Sequence, residues 1–354
     1  MDLMPTAEQA AIKESVRAFL TKELPIARVR EIAGEGPGAC AGLWRDAGAL
    51  GFFALGLAEE QGGSGYSITE EMVLFEELGR ALAPGPWLGS VVAAHALAAN
   101  RELAAQARQI LAGELRVALV GDSNDGDALV VQEKSGEARV SGERTLVADA
   151  EGAGAFLVLD RAGVLFVPLD RATLEVAPQP SLDLTRPVAN LSLRGSACRV
   201  LARDPDAVET LRRTATVLAC AEAVGAIERT VELSVEYAKV RQQFGKPIGS
   251  FQAVKHRCAD MAVRAEVARS ATIYAAVSLR DGAEDAGFQT RVAKILCANA
   301  FIANSADNVQ NHGGMGFTWE CDAHLFVKRA RSFDLTLGSR TSELDALVAE
   351  LRAV

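Results

Sequence analysis

A stretch of unusual length, 208–240, contains almost no residue that disfavours a helix apart from Gly225, and this feature constrains the fold more than any other. A helix of that length needs neighbouring surfaces against which to bury its apolar residues. Helical patterns recur over 251–279 and 288–309, and a last helix is predicted to begin after Gly338. We therefore predict that residues 204–354 form a C-terminal α-helical bundle domain.

The pattern of hydrophobic residues changes near Gly113. Residues 1–112 predict helices, the first of them capped by Thr6, and form an N-terminal α-helical domain. Residues 113–203 contain short runs rich in Val and Leu between Gly, Asp and Asn, which predict a small central β domain. The predicted strands are 115–120, 128–132, 138–140, 156–159, 164–168 and 191–193. The fold class is thus predicted to be α+β, and a chain of 354 residues is long enough for such a division.

Composition excludes several classes of protein. The formal net charge is −9, and no run of Lys and Arg offers a footprint for nucleic acid. No apolar stretch approaches the ~18 residues of a membrane span, and the N-terminus lacks the basic start and apolar core of a secretory signal. The six cysteines stand singly, without the spacing of a metal or redox site, which favours buried thiols in a reducing cytoplasm.

One segment interrupts the helical pattern of the C-terminal half. Residues 241–249 read Arg-Gln-Gln-Phe-Gly-Lys-Pro-Ile-Gly, and Phe251 and Gln252 follow. We expect a helix to end at the Phe244-Gly pair and a second helix to resume at Phe251-Gln252. The arginine of this segment, Arg241, presents a rigid fork of donors that suits a phosphate or pyrophosphate.

A second segment, 310–316, reads Gln-Asn-His-Gly-Gly-Met-Gly, a glycine-rich turn where the backbone can approach a ligand closely. Together and in this order, the two segments resemble the flavin-binding signatures of the acyl-CoA dehydrogenase family. The resemblance extends over essentially the whole chain. Leu78-Gly79-Arg80 and the residues around Gly225 are also similar to the family's helical domains.

The resemblance implies the family's fold, which has an N-terminal helical domain, a small central β-barrel or sandwich domain and a C-terminal four-helix bundle. It also implies FAD as the cofactor. In the family, the arginine and the glycine turn reach across a subunit interface to the pyrophosphate and adenosine of a neighbour's FAD. The residues that would carry this role here are Arg241, Phe244, Gln252, Gln310, Gly313 and Gly314.

The chain departs from the family at the catalytic base. In the family a carboxylate takes the α-proton of an acyl thioester while the β-hydride moves to the flavin. That carboxylate lies either in a Tyr-Glu-Gly-Thr segment near the C-terminus or in the long helix. The matching segment here, 336–339, reads Thr-Leu-Gly-Ser, so Leu337 stands at the first position, and Ala215 stands at the second. Neither side chain can accept a proton, so no catalytic residue is predicted in this chain.

The segments that contact the flavin ring in the family are also absent. Residues 119–126 lack a Thr-Glu-Pro…Gly-Ser-Asp pattern, and residues 145–147 lack a Trp-x-Thr pattern, with Thr145 and Val147 in its place. The resemblance therefore implies a chain that keeps donors for a neighbour's flavin tail but lacks contacts for its own flavin ring.

The preferred interpretation is a subunit of an FAD-dependent acyl-CoA dehydrogenase, similar to the degenerate chain of actinobacterial-type heteromeric enzymes. It would contribute half of a shared FAD site to a homologous catalytic subunit in a heterotetramer. The complex would oxidise the CH–CH bond of an acyl-CoA thioester in fatty-acid or steroid side-chain β-oxidation. An acceptor similar to electron-transfer flavoprotein would receive the electrons.

Two alternatives remain open. The chain is either a homo-oligomeric dehydrogenase with a relocated base, for which Glu320 and Glu343 are the first candidates, or a non-catalytic scaffold of the same fold. Other acidic side chains, Glu222 and Glu228, are expected to face solvent or to join ion pairs. His312 is either a donor to a phosphate or a loop histidine without a function.

Overall fold

The computed structural model describes residues 4–36, 41–98, 100–121 and 128–353. The chain divides into two compact units. The helical unit comprises Met1–Ala27, Met72–Ala83 and Thr216–Val354, and the β-containing unit comprises Arg28–Glu71 and Pro84–Ala215. The predicted domain boundaries at 112/113 and 203/204 stay a prediction.

The N-terminal third is helical, as predicted. Helix α1 begins with a capping box, in which Thr6 Oγ1 accepts a hydrogen bond from Gln9 N and Gln9 Oε1 accepts one from Thr6 N, each at 3.1 Å. The helices of this part are α1 (Ala7–Glu23), α2 (Ile26–Glu35), α3 (Ala41–Ala49), α4 (Ile68–Arg80), α5 (Trp87–Ala98) and α6 (Ala104–Leu111).

The strands of the central part are β1 (Val117–Val120), β2 (Val130–Lys134), β3 (Glu137–Ala148), β4 (Ala155–Asp160), β5 (Gly163–Pro168), β6 (Leu174–Gln179) and β7 (Val188–Ala202). The sequence did not predict β6, because Pro178 near its end is typical of a break in a sheet. Since β6 pairs only with β7 among the described strands, it tolerates the proline at its free edge.

Strand β7 joins the two halves of the sheet. Its residues 188–198 pair with β3, whereas its last residues, 199–202, pair with β5. The strand order is β1-β4-β5-β7-β3-β2, in which only β1 and β4 run parallel. A bulge at Gly195, where φ is 70°, interrupts the register with β3 and lets the 15-residue strand serve both halves.

The apolar faces of these strands enclose a core of their own. Phe156, Leu165, Val140 and Leu191 are buried in it. The α+β fold class is confirmed, with helices at both ends of the chain and a β sheet between them.

The C-terminal part is again helical. It contains α7 (Pro205–Val240), a short hairpin of β8 (Gln242–Gln243) and β9 (Lys246–Pro247), α8 (Gln252–Arg280), α9 (Ala286–His312), α10 (Ala323–Leu335) and α11 (Arg340–Ala353). At 36 residues, α7 confirms the predicted long helix, although it ends at Val240, before the Phe244-Gly pair.

Helices α4 and α7 cross with their backbones in contact, because a glycine of each lies against the other. A Cβ on Gly79 would fall 1.7 Å from the carbonyl oxygen of Glu222, and a Cβ on Gly225 would fall 1.7 Å from that of Glu76. Such distances leave no room for any side chain. The single glycine inside the long helix is therefore required by packing.

The two glutamates at this crossing also anchor the neighbouring helices through their side chains. Glu76 accepts from Lys13 of α1 at 3.1 Å and from Arg269 of α8 at 3.2 Å. Glu222 accepts from Arg329 of α10 at 2.7 Å. Burial raises the pKa of Glu76, although Arg269 and Lys13 oppose that shift. Glu222 is thus a buried ion-pair member, which is one of the two roles expected for it from the sequence.

A second buried pair lies in the β-containing unit. Glu71 Oε1 lies 2.7 Å from His95 Nε2 and accepts from the backbone amide of Gly56 at 3.2 Å. Burial lowers the pKa of His95, but the hydrogen bond and the charge of Glu71 outweigh burial, so the net pKa lies above 6.5. The sequence analysis did not single out either residue.

We expect Gly225→Ala to destabilise the helical unit by about 1–3 kcal/mol or more, since the new methyl must push α4 away from α7. Gly34→Ala is the matched control, because Gly34 also lies in a helix but has open space where its Cβ would stand. Alanine there should be neutral or slightly stabilising. Thermal unfolding of the two variants beside the parent measures the difference, and equal melting temperatures would refute the close crossing.

We expect the stabilisation from the His95–Glu71 pair to depend on pH. The folded-state pKa of His95 is raised, so this stabilisation is fully present below the unfolded pKa near 6.5 and is lost as pH rises through the folded pKa. His95→Gln keeps a hydrogen-bond donor but does not titrate. Urea unfolding from about pH 5.5 to about pH 8.5 should therefore show parent stability falling relative to the variant. Parallel pH profiles would contradict this expectation.

Candidate functional site

The Arg241 segment forms an exposed β-hairpin at the end of α7. Phe244 and Gly245, the two central residues of its turn, both have positive φ, 53° and 78°. Two such residues in succession are typical of a type I′ turn, which the glycine adopts freely and the phenylalanine only at some cost. The segment therefore ends the helix with a hairpin instead of a simple cap, and this corrects the predicted helix end.

The hairpin presents its side chains to solvent. Phe244 is 91% exposed, and its ring meets that of Phe251 edge to face, with ring centroids 6.0 Å apart. Arg241 is exposed, and its guanidinium has no hydrogen-bond or ion-pair partner among the residues that the structure describes. It is held through its backbone, which donates to Tyr237 O at 2.9 Å and accepts from Ile248 N at 2.8 Å. The segment thus offers an unengaged cation on a fixed backbone.

The glycine turn follows α9. Gly313 ends the helix with φ of 61°, and the chain then forms a short 3-10 helix over Gly313–Phe317. A Cβ on Gly313 or Gly314 would meet nothing within 4 Å, so open space lies beside both residues. Gly316 differs, because its Cβ would fall 2.6 Å from Val309 O. Packing explains Gly316, whereas it leaves Gly313 and Gly314 accessible to a ligand.

The two predicted segments meet at one end of the helical unit. The rings of Tyr237 and His312 stack with centroids 4.3 Å apart, and Ser234 Oγ donates to Asn308 Oδ1 at 2.8 Å. Tyr237 lies one turn before Arg241, and His312 directly precedes Gly313. The exposed Gln310 lies in the last turn of α9, and the exposed Gln252 begins α8 just beyond the hairpin.

The hairpin and its flanking residues are rich in Lys and Arg although the protein is acidic. Residues 237–257 contain five Lys or Arg residues and no Asp or Glu, in a chain of net charge −9. Lys239, Arg241, Lys246 and Lys255 are all exposed. The N-terminus of α8 adds the positive end of a helix dipole. This arrangement suits a phosphate or pyrophosphate. Of its four exposed cations, only Arg241 was predicted from the sequence to bind such a group.

Leu337, which the resemblance places at one of the family's base positions, lies in a turn held by a buried lysine. Lys294 Nζ donates to Phe333 O at 2.5 Å and to Thr336 O at 2.8 Å. Burial lowers the pKa of Lys294 to about 8. Leu337 itself has φ of 56°, a left-handed conformation that leucine rarely adopts. The turn is therefore shaped by its surroundings.

Glu343, a candidate for a relocated base, is buried beside the same turn. A Cβ on Gly338 would fall 2.5 Å from Glu343 Oε1, so the glycine makes room for this carboxylate. Glu343 Oε2 accepts from Arg291 Nη1 at 2.7 Å. The carboxylate of Glu343 is therefore engaged in contacts within the fold. Glu320, the other candidate, is exposed just after the glycine turn.

The described residues that the resemblance places at the second base position and at the ring-binding positions belong to the β-containing unit. Ala215 is fully buried in α7. In β3, Val147 points into the core of the β-containing unit, while Leu146, with φ of 54°, is exposed at a bulge. Residues 122–126 of the segment 119–126 fall outside the described residues. Cys40 also falls outside them.

Other reactive groups lie in structural contacts. Glu228 forms an ion pair with Arg269. The described cysteines, Cys198, Cys220, Cys258, Cys297 and Cys321, are free thiols. Across the described ranges, no group of His, Cys, Asp or Glu is arranged to hold a metal ion. Nor does any helix in those ranges combine the length and the apolarity of a membrane span.

Family models match both ends of the chain. The model described as "Acyl-CoA dehydrogenase, N-terminal domain" matches residues 6–113, and the one described as "Acyl-CoA dehydrogenase, C-terminal domain" matches residues 207–351.

Curated relatives carry related names. The chain is 38% identical over 347 residues to acyl-CoA dehydrogenase FadE34 of Mycobacterium tuberculosis, which covers 94% of this chain but 46% of FadE34. The chain thus spans about half the length of that relative. It is 33% identical over 357 residues to acyl-CoA dehydrogenase IpdE2 of the same organism, covering 99% of both.

Solved structures share the fold. The Tcur3481-Tcur3483 steroid ACAD G363A variant superposes with a TM-score of 0.90 at 25% identity, covering 98% of this chain and 99% of that one. The ChsE4-ChsE5 complex from Mycobacterium tuberculosis superposes with a TM-score of 0.89 at 25% identity over 100% of both chains. PigA, solved with FAD and proline, has a TM-score of 0.86 at 21% identity, with 99% of each chain covered, and shows the fold alone.

Proposed function

The chain belongs to the acyl-CoA dehydrogenase family, and from that premise we propose that it is one subunit of a heteromeric, FAD-dependent enzyme. In this family FAD is the cofactor, and it supplies the acceptor for the hydride that leaves the β-carbon of an acyl-CoA thioester. The role of this chain is to bind the tail of an FAD whose ring lies against a homologous catalytic subunit. The complex is an oxidoreductase of the cytoplasm that transfers its electrons to a flavoprotein similar to electron-transfer flavoprotein.

One observation carries the proposal. The donors that suit a pyrophosphate are exposed and meet at one end of the helical unit, whereas aliphatic side chains occupy both positions of the family's base. A chain arranged in this way can hold a cofactor but has no group at either position to take a proton.

Each donor has a distinct part in this site. The guanidinium of Arg241 can form two parallel hydrogen bonds to phosphate oxygens. Gln252 and Gln310 offer side-chain amides to the adenosine, and the open space at Gly313 and Gly314 lets the backbone approach the pyrophosphate. Phe244, exposed at the tip of the hairpin, supplies an apolar surface against the ligand or the partner.

A partner subunit would also cover apolar surface at this end. Phe244, Phe317 and Trp319 are 91%, 87% and 63% exposed. Exposed aromatic residues are enriched in protein–protein interfaces, and Phe317 and Trp319 lie two residues apart in the chain. Two of the similar structures, ChsE4-ChsE5 and Tcur3481-Tcur3483, are named as pairs of proteins, and this favours a heteromer over a homo-oligomer.

The substrate class follows from the same similarity. The Tcur3481-Tcur3483 protein is described as a steroid ACAD. We therefore propose an acyl-CoA thioester with a steroid or other bulky acyl group, in side-chain β-oxidation. The partner would supply the base and most of the acyl pocket.

The second candidate function is that of a homo-oligomeric dehydrogenase with a relocated base, which the exposure of Glu320 beside the glycine turn favours. This function requires that the single chain binds FAD and oxidises an acyl-CoA thioester. A purely structural scaffold requires that no complex of the chain binds FAD through Arg241.

We expect Arg241→Ala to weaken FAD binding by the complex without unfolding the chain. A charge-assisted contact to a phosphate is worth ~1.5–3 kcal/mol, or roughly ten- to a hundred-fold in Kd. Arg331→Ala is the matched control, because Arg331 is an exposed arginine of the same unit on α10. Flavin fluorescence titration gives both Kd values, and an unchanged Kd in Arg241→Ala would rule out the assigned role.

We expect the purified single chain to leave flavin unbleached under anaerobic conditions with a panel of acyl-CoA thioesters. A positioned base typically supplies about 10²–10⁴ in rate, and Leu337 and Ala215 cannot act as one. Leu337→Glu alone should stay inactive, because the ring-binding segments are missing as well. Stoichiometric bleaching by the single chain would favour the relocated base. Glu320→Gln in that chain would then identify the group.

A further inference from the structure

Two contacts, one helical turn apart, join the end of α7 to the end of α9. Ser234 Oγ donates to Asn308 Oδ1 at 2.8 Å in the interior, and the rings of Tyr237 and His312 stack at 4.3 Å with an interplanar angle of 26°. Ser234 and Asn308 are buried, while Tyr237 and His312 are half-buried nearer the surface. The stack therefore lies nearer than the buried hydrogen bond to the points where the two helices give way to the predicted ligand-binding segments.

The position of the His312 ring is fixed on a second side. His312 Nδ1 lies 2.8 Å from the carbonyl oxygen of Asn308, and because a carbonyl only accepts, Nδ1 carries the proton. A Cβ on Gly316 would fall 2.9 Å from His312 Cβ, so the glycine turn folds back directly over this residue. The imidazole is thus enclosed by Tyr237, by its own helix and by the turn that follows it.

The position of Tyr237 is tied to Arg241 in the same way. Arg241 N donates to Tyr237 O at 2.9 Å in the last helical hydrogen bond of α7, and Arg241 O accepts from Ile248 N at the base of the hairpin. A change in the place of the Tyr237 ring is therefore transmitted through one helical turn to the guanidinium. Likewise, His312 is bonded directly to Gly313.

We propose that Tyr237 and His312 are a positioning pair that sets the distance between Arg241 and the Gly313–Gly314 turn, and so adapts the two segments to one diphosphate. This inference rests on the proposed shared FAD site. A diphosphate has a fixed span, so donors on two separate helices bind it well only if the helix ends hold a fixed separation. Neither ring needs to touch the ligand for this role.

The test is a double-mutant cycle on FAD affinity, measured by flavin fluorescence in the complex co-purified with the partner subunit. Tyr237→Leu and His312→Leu should each raise the Kd of FAD about two- to tenfold, the range of one aromatic pair. The double variant should bind no more weakly than either single variant, because both remove the same contact. Tyr237→Phe keeps the stack and should bind like the parent. Additive effects, or parent-like Kd values in both leucine variants, would overturn the proposal.

Two controls separate positioning from other causes. Val217→Ala removes buried volume from the first half of α7 and should lower the melting temperature without changing the Kd of FAD. If it weakens FAD binding as much as Tyr237→Leu does, the role of the pair is stability alone and the proposal fails. Arg241→Ala tests the site itself. If Arg241→Ala binds FAD with the Kd of the parent, the proposed function is wrong. If Arg241→Ala raises the Kd of FAD but Tyr237→Leu does not, only the positioning pair is wrong.

Hydrogen exchange on the purified chain gives a readout that needs no partner. Tyr237→Leu should speed amide exchange in residues 241–247 and 313–317, and Tyr237→Phe should not. Equal exchange in the two variants would contradict the coupling of the two segments. Faster exchange throughout the helical unit would instead indicate general destabilisation and would also count against the proposal.

Discussion

The crossing of α4 and α7 at Gly79 and Gly225 is the contact on which the helical unit depends. Its two carbonyl neighbours belong to Glu76 and Glu222, whose side chains reach in turn to α1, α8 and α10. Buried ion pairs contribute little net stability but are costly to break. The glycines and the glutamates therefore act together, because a shift at the crossing would move both carboxylates away from their cations.

The same frame also supports the two segments proposed to bind the tail of a cofactor. The hairpin and the glycine turn lie at the ends of α7 and α9, two helices that the unit needs for its own packing. Ala215 and Leu337, which the resemblance places at the family's two base positions, are aliphatic. Under the proposed function the partner supplies proton transfer, and this chain needs only the framework that binds the diphosphate.

The sequence predicted those parts of the molecule that depend on local chemistry. The Thr6 cap, the long α7, the strand-rich interior and the helical C-terminal part are confirmed, because capping, propensity and hydrophobic period act within a few residues. It missed β6, whose Pro178 is acceptable only at a free edge, and the full length of β7, which the Gly195 bulge extends across both halves of the sheet. The stack of Tyr237 on His312 joins residues far apart in the chain, so no local pattern reveals it. For Glu222 the sequence left a solvated face and an ion pair open, and the choice between them depends on which helices pack around it.

The left-handed leucine at position 337 bears on how such a chain diverges. Leucine gains nothing from φ of 56°, and a conformation of this kind costs a non-glycine residue about 1–2 kcal/mol. Contacts around the turn offset that cost. Lys294 donates hydrogen bonds to Phe333 O and Thr336 O. The carboxylate of Glu343 lies beside Gly338. The contacts that shape this loop thus come from its neighbours and not from the side chain at position 337. A change of side chain at this position would therefore alter the chemistry offered there more than the architecture around it.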